Sequence, residues 1–71
     1  MTTSFNLKIN GKTRFFKTTI STLKELEIAL KINLSHKILE INGIIIDKKN
    51  HSSVTLKNGD SIEIIQFMGG G

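Results

Sequence analysis

Cysteine is absent from the 71 residues. Its absence excludes disulfides, cysteine-ligated zinc, iron–sulfur clusters and a cysteine nucleophile together. Small domains often lean on such staples, so this one has to hold together by packing. Proline, tryptophan and tyrosine are missing too; the four aromatics are all Phe, and Arg14 is the one arginine among ten basic residues. No apolar run approaches the ~18 residues of a membrane span. Met1-Thr2-Thr3-Ser4-Phe5 shows no basic segment followed by an apolar one, so no signal peptide and an intracellular compartment are expected. What is present is ordinary for a globular chain: 38% apolar and 23% charged residues in 7.9 kDa, too apolar for outright disorder. One domain is the upper limit, burying about 60% of the surface its unfolded chain exposes.

The net charge of +4 is spread thinly, and the longest basic run is Lys48-Lys49. A nucleic-acid footprint clusters its bases and interleaves them with stacking aromatics. Neither feature occurs here, so the lysines read as a solvated surface and no nucleic-acid partner is expected.

Phe5-Asn6-Leu7-Lys8-Ile9 alternates apolar and polar residues, the pattern of a half-buried strand. Asn10-Gly11 follows, and both residues tolerate the positive φ of a type I′ hairpin turn. Lys12 to Thr18 reads as the return strand. A two-residue turn pairs Ile9 with Lys12 and faces Phe16 inward, with Arg14 near the open edge; a longer turn would bury Phe15 instead. The first register is the favoured one. Over 19–31 the apolar residues Ile20, Leu23, Leu26, Ala29 and Leu30 recur at helical spacing. Thr19, Ser21 and Thr22 are all candidate N-caps, Thr22-Leu23-Lys24-Glu25 fits a capping box, and Asn33 is the expected left-handed exit. Lys37 to Asn42 reads as a third strand with Leu39 and Ile41 inward, Asn42-Gly43 as a turn, and Ile44-Ile45-Ile46 as its partner strand. Residues 47–53 are polar and read as a loop, and Val54 to Leu56 as a segment packed beneath the sheet. Lys57 to Asp60 forms a turn around Gly59. Ser61 to Phe67 is the last strand, with Ile62 and Ile64 toward the core and Ile65 and Phe67 on the other side. The order β-β-α-β-β-β, one helix on one mixed sheet, is an α+β layout of β-grasp type. The central place of its last strand is inferred by analogy.

The usual catalytic sets are missing. His36 and His51 both lie in polar stretches, where a lone histidine is ordinary surface. Glu25 and Glu27 do not face one another on a helix. No three or four ligands converge on a metal, and no glycine-rich phosphate loop occurs at a strand–helix junction. The chain is therefore not expected to be an enzyme by itself. The distinctive feature is its end, Gly69-Gly70-Gly71. A terminus of this kind can be mere fraying. Glycine, however, has no Cβ and lets a backbone enter a channel too narrow for side chains. Four residues past Phe67 span roughly 13–14 Å when extended. An α-carboxylate at the tip is unreactive until adenylation makes it an acyl donor; a sulfur nucleophile could then displace AMP and leave a thiocarboxylate. Ile65, Phe67 and Met68 set large apolar side chains beside this tail, with Ile38 on the same outer face. Exposed apolar surface of that kind marks a partner site.

In this order and at this length, the residues resemble the ThiS-type sulfur carriers of thiamin (thiazole) biosynthesis, a ubiquitin-like β-grasp family. The resemblance rests on Ile9-Asn10-Gly11, Thr19-Ile20, Ile41-Asn42-Gly43, Leu56 through Ile64 with its Lys57-Asn58-Gly59-Asp60 turn, and Phe67-Met68-Gly69-Gly70-Gly71. Ile44 and His51 depart from the family pattern, which usually has a polar turn residue and a bulkier aromatic there. The resemblance implies a β-grasp domain over 1–67 and a glycine tail over 68–71. It implies that Gly71 is the attachment point, and that Gly69 and Gly70 thread into partners. Those partners would be an E1-like adenylating enzyme (ThiF-type) using ATP and magnesium, a cysteine-derived sulfur donor, and a thiazole synthase (ThiG-type). The chain itself would bind no cofactor, metal or membrane. The bacterial cytoplasm or the plastid stroma is the expected compartment. Alternatives are a molybdopterin-synthase small subunit or Urm-like carrier, a ubiquitin-like protein modifier, and a plain binding module. A β-grasp ferredoxin is excluded, since no cysteine could hold its cluster.

Overall fold

A computed structural model describes residues 4–66. Strand β1, Phe5–Ile9, buries Phe5, Leu7 and Ile9 and leaves Asn6 and Lys8 outward. The chain reverses through Asn10 and Gly11, with φ of 50° and 84°, the pair of positive values that a type I′ turn requires. Strand β2, Lys12–Phe16, returns antiparallel with Ile9 opposite Lys12 and Phe5 opposite Phe16. The two-residue turn therefore sets the register, and Phe16 packs against the core while Phe15 stays 69% exposed. The strand stops at Phe16, two residues short of the expected Thr18.

Helix α1, Leu23–Leu30, opens on the expected capping box: Thr22 Oγ1 accepts from the Glu25 N–H at 3.1 Å, and Glu25 Oε1 accepts from the Thr22 N–H at 3.2 Å. The box places the helix start four residues later than the periodicity predicts. Ile20 is still buried, but it reaches the core from the segment ahead of the cap. Ala29, expected on the apolar stripe, is exposed. The exit also differs from expectation. Lys31, not Asn33, takes the left-handed conformation, with φ 58°. The Ile32 N–H then bonds the Glu27 carbonyl at 3.1 Å, the six-to-one bond of a Schellman ending, which turns apolar Ile32 back onto the core. Asn33 instead accepts from the Ser35 N–H at 2.8 Å in a local turn.

Strand β3, Lys37–Ile41, and strand β4, Ile44–Ile46, form a second hairpin around Asn42-Gly43, with φ of 52° and 86°. Lys48–Ser53, read from sequence as a loop, forms a 3-10 helix instead. Its three-residue turns leave no apolar periodicity to detect. His51 consequently sits half-buried in a groove with Leu23 and Leu34 rather than on open surface. Leu56 is buried, its N–H bonded to the Ser21 carbonyl at 2.7 Å. The Gly59 turn, φ 88°, leads into strand β5, Ser61–Gln66.

The sheet order is β2-β1-β5-β3-β4. β5 lies in the middle, parallel to β1 and antiparallel to β3. Leu7, Leu26, Leu34, Leu39 and Ile62 are essentially sealed from solvent between sheet and helix, and no polar residue among those described is buried with them.

Candidate functional site

β5 is the element that carries the chain toward the glycines, so its surroundings define the site. Its neighbours grip it from both flanks. On the β1 side the main chain turns away at Asn10, and the side chain takes its place. Asn10 Oδ1 accepts from the Ile64 N–H at 2.7 Å, and its Nδ2 donates to the Ile64 carbonyl at 3.3 Å. On the β3 side Asn42 Oδ1 accepts from the Ser61 N–H at 2.9 Å, and its Nδ2 donates to Asp60 Oδ1 at 3.0 Å. Both asparagines thus turn a hairpin and extend the pairing of β5. The sequence shows the turns; it gave no sign of the side-chain bonds, whose partners lie up to 54 residues away.

Register fixes what each face presents. Ile38 lies directly opposite Ile65, and Glu40 directly opposite Glu63, so all four point away from the helix. Ile65 is 42% exposed and Ile38 39%, as the sequence pattern predicts, and Ile45 beside Glu40 is 63% exposed. Sequence reading missed Ile45; its signal was the uniform Ile44-Ile45-Ile46 run, since the two-residue period of a strand must turn part of such a run outward. The result is an apolar patch at the tail end of the outer face, with a like-charge glutamate pair next to it that weakens the sheet slightly. Phe15 shares this face but sits opposite Asn6, at the other end. Phe67, Met68, Gly69, Gly70 and Gly71 lie outside the described residues, as does the expected boundary between domain and tail.

Among the described residues no group of three or more His, Asp or Glu could hold a metal ion, and no helix is long and apolar enough to cross a membrane. What the geometry offers among the described residues is a gripped central strand and an apolar outer patch.

The sequence model of the ThiS family matches residues 7–71. The chain belongs to the ThiS family. It is 35% identical over 65 residues to the sulfur carrier protein ThiS of Bacillus subtilis (strain 168), covering 92% of this chain and 98% of that protein. It is also 36% identical over 63 residues to the uncharacterized protein ycf40 of Trieres chinensis, covering 89% of this chain and 85% of the relative. The crystal structure of the thiamine biosynthesis protein ThiS from Geobacter metallireducens superposes with a TM-score of 0.77 at 35% identity, covering 93% of this chain and 99% of that one. A solution NMR structure of a thiamine biosynthesis protein from the same organism gives 0.72 at the same identity. The ThiS likeness confirms the β-grasp reading, central last strand included. ThiS-family proteins are small ubiquitin-like sulfur carriers that work with sulfur-transfer partners and are not catalysts themselves.

Proposed function

We propose that this ThiS-family chain carries sulfur for thiazole formation in thiamin biosynthesis as a thiocarboxylate on Gly71. The observation that carries the reading is the family match running through Gly71. In the first step an E1-like, ThiF-type enzyme binds ATP and magnesium. A Gly71 carboxylate oxygen attacks the α-phosphate, and pyrophosphate leaves. In the second step sulfur at the sulfide level (HS−), supplied from a cysteine-derived donor, attacks the acyl carbon; AMP departs with the oxygen it had captured, a proton is released, and the thiocarboxylate remains. A ThiG-type thiazole synthase then takes the sulfur. The chain's own residues supply reach and grip. Gly69 and Gly70 pass where a side chain could not, while Ile65, Phe67 and Met68 offer apolar surface to the enzyme that holds the body. The bacterial relative supports a cytoplasmic setting, and the plastid stroma is the corresponding eukaryotic one.

The test is intact-mass spectrometry after incubation with the cognate adenylating enzyme, ATP, magnesium and a sulfur donor. The expected product is the chain with one oxygen exchanged for sulfur, and a variant ending at Gly70 gives none. A lysine conjugate would point to a protein modifier instead. An unchanged mass with every activating enzyme tried would leave a plain binding module.

A further inference from the structure

A second surface lies at the same end of β5, on the opposite side of the sheet from the isoleucine patch. Leu30, at the end of helix α1, lines an open groove of about 420 Å³ together with Lys37 of β3 and Ile64 and Gln66 of β5. Its floor is aliphatic: Leu30, Ile32 and Ile64 line it, and each is only partly buried. Its rim is cationic, with Arg14 on one side and Lys37 on the other, and Gln66 at the end where β5 stops. No acidic side chain among the described residues lines it. Further positive charge stands close by. Lys12, opposite Ile9, faces the same side of the sheet as Arg14, and Lys31 lies between Leu30 and Ile32 in sequence. The Asn10 amide, bonded to Ile64, fixes the wall between rim and floor.

We propose that this groove docks an acidic segment of the adenylating partner, with aliphatic side chains on the floor and carboxylates between Arg14 and Lys37. The proposal rests on the sulfur-carrier reading and adds to it a second point of grip, distinct from the outer isoleucines. Charge complementarity selects the occupant, since cations without an acidic neighbour in the groove favour an anionic guest and speed its approach. The floor selects a protein over a nucleic acid. Single strands are held by stacking on aromatic faces, and no aromatic side chain lines the groove among the described residues. Its position favours a partner that also takes the glycine segment, because Gln66 stands three residues before Gly69 in the sequence.

The test is titration calorimetry of the full chain with the cognate adenylating enzyme, at low salt and at about 0.15 M salt. The variants are Arg14→Glu/Lys37→Glu and the milder Arg14→Gln/Lys37→Gln, with amide NMR spectra confirming that each remains folded. The expected result is binding at least tenfold weaker for the charge reversal, a smaller loss for the glutamine pair, and a flatter salt dependence in both. Unchanged affinity in both pairs overturns the proposal while leaving the sulfur-carrier reading intact. Tighter binding on charge reversal would place the chain's own end in the groove, and reversal-sensitive self-association would place a second copy there. Reversal-sensitive binding of a mixed-sequence oligonucleotide would make the guest a nucleic acid. Each of these outcomes overturns the proposal. If the unaltered chain fails to bind the enzyme at all, the sulfur-carrier reading falls first and the groove's role falls with it.

Discussion

Asn10 has two tasks that one substitution can separate. Its φ of 50° needs a residue at ease in the left-handed region, and its amide holds both polar main-chain groups of Ile64. Glycine performs the first task and not the second; alanine performs neither. Each exposed hydrogen bond is worth about 0.5–1.5 kcal/mol, and left-handed strain on alanine adds roughly 1 kcal/mol. Asn10→Gly is therefore expected to lower stability by about 1 kcal/mol, and Asn10→Ala by about 2 kcal/mol. The more specific readout is hydrogen exchange at the Ile64 amide, which loses its direct acceptor in both variants and should exchange severalfold faster in each. If Ile64 keeps its protection in Asn10→Gly, the amide does not hold β5 and the strand's exit is set by β3 alone. The sequence announces Asn10 only as a turn residue, because local reading stops at the chain neighbours and the bond crosses to the far end of the chain.

The elements were largely legible because their signals are local. Strict alternation gave β1, the two Asn-Gly pairs gave both hairpins, with the first register favoured over one alternative, and the Thr22–Glu25 box marked one of three candidate helix starts. The misreadings fall where tertiary packing overrides propensity. The Lys48–Ser53 3-10 helix has no apolar periodicity, and the helix exit falls on a lysine because Ile32 has to turn back to the core. That exit is suboptimal by its own chemistry. A side-chain-bearing residue in the left-handed region costs roughly 1–2 kcal/mol relative to glycine, and helix ends of this type favour glycine for that reason. Lys31→Gly is expected to stabilise the fold by about 1 kcal/mol, less than the full strain because glycine also loosens the unfolded chain. For a domain of this size that is a rise of about 4–8 °C in midpoint by thermal unfolding. A lower midpoint would mean that the Lys31 side chain contributes more than its backbone costs.

At the scale of the whole molecule, the sheet separates two kinds of surface around one exit. The outer face carries Ile38, Ile65 and Ile45 beside Glu40 and Glu63, and the helix side carries aliphatic groups rimmed by Arg14 and Lys37. Ile38 and Ile65 could be read from the alternation of β3 and β5, whereas Ile45 on β4 was missed. The cationic groove could not, because Arg14 and Lys37 come from strands that meet only through β1 and β5. The isoleucines lie outside the sealed core, so their surface is available to a partner without cost to the fold. Replacing both central ones by threonine keeps the β-branching that suits a strand while removing apolar area. Ile38→Thr/Ile65→Thr should therefore change unfolding stability by no more than about 1 kcal/mol, the combined allowance for two surface sites. It should weaken binding of the adenylating partner by about tenfold, since roughly 1 kcal/mol or more of apolar burial is lost. Denaturant unfolding and titration calorimetry on the same preparation separate the two effects. A large loss of stability would assign the pair to the body's own packing. Full affinity with full stability would move the partner's grip off the outer face and leave the groove beside Gln66 and the residues beyond it to supply that grip.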